Sequence, residues 1–178
     1  IGARTTESQT HREMASGLSM PIGYKNGTDG TAAIAINAMQ AAANPHHFLG
    51  INHEGHASIV STTGNPDGHL VLRGGKAGTN YHFEAVKQVA KELAEVGLFD
   101  RVMVDCSHGN SNKDFRKQAD VLNEVANQVR QGSQHVMGVM LESHLIEGNQ
   151  KLQEDLSALN YGQSITDACI DLSTTATL

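Results

Sequence analysis

Short apolar strands alternate with amphipathic helices along this chain, and this alternation constrains the fold more than any other feature. Strands are predicted at residues 20–25, 69–73, 102–105 and 136–144, and helices at residues 8–17, 31–43, 83–96 and 115–130. In the third helix, for example, Val86, Ala90 and Leu93 recur at helical spacing. Strands that are connected through helices lie parallel in one sheet. The sequence therefore predicts an α/β fold.

A residue able to bind a ligand lies at or just after the end of each predicted strand. These residues are Arg4, Lys25, Arg73, His108 and Glu142, where the first four residues are interpreted as the end of a further strand. The carboxyl ends of parallel strands share one face, and (β/α)8 TIM barrels build their sites there. About five strands are predicted, whereas a barrel needs eight in about 250 residues.

We therefore expect only the C-terminal part of a TIM barrel, in one partial catalytic domain over residues 1–178. The chain starts within an apparent strand end and stops after a Thr-rich stretch, without a closing helix. On this basis it is interpreted as a fragment that is cut at both ends.

One β-hairpin interrupts the alternation of strands and helices. Residues 48–52 and 57–62 form two short strand patterns, and His53 and His56 are expected to be exposed in the connection between them. The hairpin is predicted as an insertion over about residues 47–63.

Composition and charge exclude several classes of protein. The net charge is −6, aromatic residues make up 4% of the chain and tryptophan is absent, which disfavours a nucleic-acid partner. No apolar run approaches the roughly 18 residues of a membrane span. Cys106 and Cys169 form no CxxC pair, so a reducing cytoplasm is the expected location. Both cysteines are interpreted as packing residues rather than as metal ligands.

The predicted strand ends carry a set of cations. Arg4, Lys25 and Arg73, with Lys76 as a further candidate, would converge on a small, highly charged anion if they share one face of the sheet. Arginine binds phosphate or carboxylate with a planar fork, and lysine acts as a point charge. The alternative is that each cation makes an ordinary ion pair.

A second set of residues suits a metal ion. His108, Glu142 and Asp167 offer one nitrogen and two carboxylates, which is a ligand set for a divalent ion of the Mn, Fe, Co or Zn class. Because these residues are far apart in the sequence, their spacing alone is weak evidence for a metal site. The alternatives are a hydrogen-bonded buried histidine, a helix-capping aspartate and a glutamate paired with one of the cations.

Several long blocks resemble the type I (microbial, feedback-regulated) 3-deoxy-D-arabino-heptulosonate 7-phosphate (DAHP) synthases. They are Gly-Ala-Arg-Thr-Thr-Glu-Ser-Gln at residues 2–9, Lys-Asn-Gly-Thr-Asp-Gly at 25–30, Leu-Arg-Gly-Gly-Lys at 72–76, Asp-Cys-Ser-His-Gly-Asn-Ser at 105–111, Glu-Ser-His at 142–144 and Ser-Ile-Thr-Asp-Ala-Cys at 164–169. The resemblance covers nearly the whole chain and corresponds to the C-terminal half to two-thirds of such an enzyme.

The resemblance implies a metal-dependent condensation of phosphoenolpyruvate with erythrose 4-phosphate, the first step of the shikimate pathway. It implies that Arg4, Lys25 and Arg73, with the backbone of Ala3, bind phosphoenolpyruvate. It also implies that the metal ligands are His108, Glu142 and Asp167. The family's fourth ligand, a cysteine, and its erythrose phosphate loop have no match in this chain. The isolated chain is therefore expected to be inactive.

The same resemblance assigns a regulatory role to the hairpin. Ser19, Phe48, Gly50 and Val60 are expected to form a pocket for an aromatic amino acid, and nearby blocks look most like the tyrosine-sensitive class. The alternative for the hairpin is a simple subunit contact, and a homo-oligomer is expected because a partial barrel exposes sheet edges. Two competing functions are a non-catalytic phosphate- or effector-binding barrel fragment and another metal-dependent barrel aldolase.

Overall fold

The computed structural model describes residues 1–178 and contains a parallel four-stranded sheet in the order β1-β4-β5-β6. The helices and strands are α1 Gln9–Ser16, β1 Ile22–Lys25, α2 Ala33–Ala42, β2 His47–Ile51, β3 Ala57–Ser61, β4 Gly68–Leu72, α3 Phe83–Glu95, β5 Val102–Asp105, α4 Gln118–Arg130, β6 Val136–Met140, β7 Ser143–His144, β8 Ile146–Asn149, β9 Gln163–Ser164, β10 Ile170–Asp171 and α5 Leu172–Thr177. The predicted α/β class is confirmed, and the arrangement is consistent with part of a (β/α)8 barrel.

The main core lies between this sheet and its helices. Helix α2 packs against β1 and β4, α3 against β5, and α4 against β6. In β5, Val102 and Val104 are fully buried, and Cys106 continues the same face into the hydrophobic core. Burial and the nearby Asp105 carboxylate raise the pKa of the Cys106 thiol to about 12, so Cys106 is a protonated packing residue. None of the helices is long and apolar enough to span a bilayer.

The strand end predicted at the start of the chain is limited to Ile1. The ammonium group of Ile1 donates to the carbonyl of Gly23 at 2.6 Å. The carbonyl of Ile1 accepts from the N–H of Lys25 at 3.0 Å. Ile1 therefore lies beside β1, but residues 3–7 form turns. The main sheet consequently has four strands rather than about five.

The predicted strand at residues 136–144 is also too long. β6 ends at Met140, and the backbone of Glu142 then binds the side chain of Gln118, while its carbonyl also accepts from the N–H of Ile170 in β10 at 3.0 Å. Beyond this break, β7 pairs in parallel with β10 in a separate two-stranded sheet. The C-terminal residues, for which no helix was expected, form α5, and Asp171 caps it by accepting from the N–H of Thr174 at 2.7 Å.

The predicted hairpin is present as the antiparallel pair β2 and β3, apart from the main sheet. Its base is attached to α1, because Thr62 Oγ1 lies 2.7 Å from Ser16 Oγ. His53 and His56 are exposed at the tip, as predicted.

Candidate functional site

A cavity of about 490 Å³ opens at the carboxyl ends of the parallel strands. Its lining includes every residue that the sequence predicted for phosphoenolpyruvate or metal: Ala3, Arg4, Lys25, Arg73, His108, Glu142 and Asp167. Lys25 is the last residue of β1, and Arg73 directly follows β4. The strand ends therefore bring together residues that are up to about 160 positions apart in sequence.

His108, Glu142 and Asp167 form one cluster, with a possible ligand atom of each within 4.8 Å of the others. His108 Nε2 lies 3.6 Å from Glu142 Oε1 and 3.8 Å from Asp167 Oδ2. Burial raises the pKa of Glu142, and the Asp167 and Asp105 carboxylates add to the increase while His108 opposes it. A divalent cation at this cluster would relieve the crowding of negative charge. The donor set therefore fits such an ion.

The cationic side chains predicted to bind an anion differ in whether they are paired with an acidic residue. Lys25 Nζ lies 2.7 Å from Asp105 Oδ2, so the ion-pair alternative holds for this lysine. Arg4, Arg73 and Lys76 have no carboxylate within 4.0 Å. Arg4 and Arg73 line the cavity, whereas Lys76 does not. Two guanidinium groups without an acidic partner therefore remain available for an anion.

Asp105 connects the two sets of residues. Its side chain is fully buried, and Oδ2 lies 2.7 Å from Lys25 Nζ and 2.9 Å from His108 Nδ1. Oδ1 accepts from the backbone N–H and the hydroxyl of Ser107, at 2.9 and 2.6 Å. Burial opposes ionisation of this carboxyl, but the hydrogen bonds from His108, Lys25 and Ser107 outweigh it and hold the pKa of Asp105 well below the usual range.

The loop that follows β5 has an unusual backbone. His108, Asn112 and Lys113 have positive φ angles of 51°, 54° and 62°, and each such non-glycine residue costs on the order of 1 kcal/mol. The Asn110 side chain compensates by donating to the carbonyls of Leu72 and Asp105 at 3.1 and 2.9 Å. This loop is therefore held in a defined conformation that directs the His108 imidazole into the cavity.

Three asparagines join the loops that carry the site residues. Asn26 Oδ1 accepts from the N–H of Arg73 at 2.8 Å and from Asn80 Nδ2 at 3.1 Å. Asn110 Oδ1 accepts from the N–H of Asn80 at 2.9 Å. Asn26 and Asn110 are buried. This network fixes the ends of β1, β4 and β5 relative to one another.

The family follows from comparison with known proteins. A family model described as the DAHP synthetase I family matches residues 1–178. The chain belongs to the DAHP synthetase I family.

Individual members of this family are similar to the chain over its whole length. The chain is 57% identical over 178 residues to phospho-2-dehydro-3-deoxyheptonate aldolase, Tyr-sensitive, of Enterobacter agglomerans and covers 83% of that protein. It is also 57% identical to the Tyr-sensitive enzyme of Escherichia coli, of which it covers 50%. The structure of phospho-2-dehydro-3-deoxyheptonate aldolase from Francisella tularensis superposes with a TM-score of 0.93 at 46% identity, over 99% of this chain and 51% of the other. The chain thus spans about half the length of the E. coli and Francisella proteins.

Several lining residues of this DAHP synthetase I family chain were missed at the sequence level. They include Thr28, Ser107, Ser111, Lys113 and Phe115. A signal existed for Ser107, Ser111 and Lys113, because they lie in the same loop as His108, which the sequence predicted to be functional. No periodicity or charge pattern indicated the others, since a loop's path decides which of its side chains reach the cavity.

The predicted effector residues are only partly brought together. Phe48, Gly50 and Val60 lie on the half-buried face of the hairpin, and a Cβ at position 50 would lie 2.7 Å from Val60 Cγ2. Ser19 lies in an exposed bend after α1. None of the four residues lines the cavity described above. The effector pocket therefore stays a prediction.

Proposed function

We propose that this chain forms the phosphoenolpyruvate- and metal-binding part of a 3-deoxy-7-phosphoheptulonate synthase. The reaction joins C3 of phosphoenolpyruvate to the aldehyde carbon of erythrose 4-phosphate, adds water at C2 and releases phosphate. The observation that carries the proposal is one shared cavity, which is lined by Arg4 and Arg73, without an acidic partner, and by the His108, Glu142 and Asp167 cluster.

Phosphoenolpyruvate carries a phosphate and a carboxylate, so its site needs several cations. Arg4 and Arg73 suit the two anionic groups because guanidinium donors match oxyanions in bidentate geometry. Lys25 adds a positive charge at the side of the cavity towards Asp105. The backbone of Ala3, which is buried in the lining, is assigned to the same substrate. These residues would orient the substrate and stabilise the charge on its leaving phosphate.

His108, Glu142 and Asp167 are the proposed ligands for one divalent metal ion of the Mn, Fe, Co or Zn class. When bound, such an ion supplies a Lewis acid that polarises an aldehyde oxygen. The protein's own contribution is to hold His108 Nε2 and the two carboxylates within 4.8 Å of one another. The alternative of a non-catalytic phosphate- or effector-binding module would need the cations but not this cluster.

Calorimetric titration with phosphoenolpyruvate in the presence of Mn²⁺ tests the proposal. Arg73→Gln should weaken binding about 10- to 100-fold, because a charge-assisted hydrogen bond contributes about 1.5–3 kcal/mol. The matched control is Arg101→Gln, since Arg101 stacks over the ring of Phe99 and does not line the cavity. Equal affinity of the Arg73→Gln variant and the wild type would refute the substrate site. Tight phosphoenolpyruvate binding without any Mn²⁺ binding would favour the non-catalytic alternative.

We also propose an aromatic amino acid, with tyrosine favoured, as an effector at Ser19, Phe48, Gly50 and Val60. Support comes from the name Tyr-sensitive, which belongs to E. coli and Enterobacter relatives that are 57% identical. A Phe-sensitive E. coli relative is 55% identical, so identity alone does not choose the amino acid. Titration of the chain with tyrosine and with phenylalanine decides between them, and binding of neither amino acid would contradict the proposal.

A further inference from the structure

Asp105 lies between the two halves of the cavity. We infer that Asp105 is a positioning residue that couples cation binding at His108, Glu142 and Asp167 to anion binding at Lys25, a role that rests on the function proposed above. The basis is geometric, because a single buried oxygen atom, Oδ2, contacts the Lys25 ammonium at 2.7 Å and the His108 imidazole at 2.9 Å.

The contacts of the Asp105 carboxylate restrict Oδ2 to two partners, Lys25 and His108. Oδ1 is already occupied by the N–H and hydroxyl of Ser107. The Asp105 side chain has no exposed surface, so water cannot replace either the Lys25 ammonium or the His108 N–H. Oδ2 is therefore shared between one residue of the anion site and one residue of the cation site.

The same contacts fix the proton on the His108 ring. The Ser107 hydroxyl donates its one proton to Asp105 Oδ1, so its oxygen can only accept from His108 Nδ1, which is 2.7 Å away. Asp105 Oδ2, on the other side of Nδ1, is also an acceptor. Nδ1 must therefore carry the proton. The lone pair of Nε2 then faces Glu142 and Asp167, where a metal ligand needs it.

A shared acceptor makes the two sites interdependent. A cation on His108 Nε2 makes the Nδ1–H a stronger donor, and this bond draws negative charge on Oδ2 away from Lys25. The Lys25 ammonium is then held less tightly and can turn towards an anion in the cavity. Each ligand should therefore tighten the binding of the other by the same factor.

The test compares Mn²⁺ titrations with and without phosphoenolpyruvate in the wild type and in Asp105→Asn. In the wild type we expect phosphoenolpyruvate to raise Mn²⁺ affinity about 5-fold or more. In Asp105→Asn we expect Mn²⁺ affinity to fall about 10- to 100-fold and the coupling factor to fall to less than about 2. The matched control is Asp100→Asn. Asp100 also lies near a histidine, with Oδ2 3.7 Å from His135 Nδ1, but it does not line the cavity.

The outcomes separate this inference from the proposed function. If Asp105→Asn keeps the wild-type coupling factor, Asp105 is merely structural and the inference fails, even if both affinities fall. If the wild type binds both ligands without coupling, the inference fails and the proposed function stands. If the wild type binds no Mn²⁺, the metal site is wrong and the inference fails with it.

A measurement on the metal-free wild type covers the case in which Asp105→Asn does not fold. The ¹⁵N chemical shifts of the His108 ring, assigned by comparison with His108→Gln, report which nitrogen carries the proton. A proton on Nδ1 supports the proposed arrangement. A neutral ring with its proton on Nε2 would overturn it, because that tautomer cannot donate to Asp105.

Discussion

The side-chain amide of Gln118 pairs with the backbone of Glu142 on both sides. Gln118 Nε2 donates to the Glu142 carbonyl at 3.1 Å, and Oε1 accepts from its N–H at 2.7 Å. Gln118 is fully buried at the start of α4. Together with the N–H of Ile170, which donates to the same carbonyl at 3.0 Å, it holds a candidate metal ligand in place.

Replacing Gln118 with leucine should therefore destabilise the protein strongly. The Glu142 N–H would lose its only hydrogen-bond partner, whereas the carbonyl would keep the N–H of Ile170, so urea unfolding should show a loss of about 1–3 kcal/mol. The matched control is Gln128→Leu, since buried Gln128 makes one hydrogen bond, to the Tyr81 carbonyl, and its Oε1 has no partner. That variant should lose about 1 kcal/mol or less. Equal losses in the two variants would contradict the role given to Gln118.

Gly74→Ala tests the close packing of the loops beneath the cavity. Gly74 has a φ of +71°, and a Cβ there would lie 2.6 Å from the backbone carbon of Gly109. Backbone strain and this clash together should cost roughly 3 kcal/mol or more in thermal or urea unfolding.

The control for Gly74→Ala is Gly97→Ala. Gly97 has nearly the same φ, +74°, but a Cβ added to it would have no neighbouring atom within 4 Å. Only backbone strain of about 1–2 kcal/mol is expected there. Equal losses of stability in the two variants would show that the close approach of Gly74 to Gly109 does not contribute to the cost.

Asp105 should make stability depend on pH in acid. Burial opposes its ionisation, but the bonds from His108, Lys25 and Ser107 hold its folded pKa below the usual value, which is about 3.9 in an unfolded chain. Its ionised form therefore stabilises the fold above about pH 4, and this contribution is lost as the pH falls towards the folded pKa. Between about pH 6 and pH 3, urea unfolding should show a larger stability loss in the wild type than in Asp105→Asn. Parallel pH profiles would argue against this assignment.

The sequence predicted the parts of the fold that rest on local patterns. The helical spacing of Val86, Ala90 and Leu93 marked α3, and these residues are buried in it. The polar strand ends correctly indicated a shared cavity, because parallel strands place their carboxyl ends on one face.

Features that depend on long-range pairing were not predictable in this way. The break after Met140 depends on Gln118, which lies 24 residues before Glu142. The apparent strand at the start of the chain ends in a turn after Ile1, although Ala3 and Arg4 could have continued a strand. The sequence did not indicate that Asp105 contacts both Lys25 and His108. Each case depends on a partner that only the fold brings near.

Titration of the chain with Mn²⁺, followed by electron paramagnetic resonance of the free ion, tests the central claim most directly. The His108, Glu142 and Asp167 cluster predicts a single site, whose affinity falls by about 100-fold or more in His108→Ala. His135→Ala is the matched control, because His135 lies outside the cavity beside Asp100, and it should bind like the wild type. Absence of a stoichiometric site, or unchanged Mn²⁺ affinity in His108→Ala, would contradict the assignment of this cluster as a metal centre.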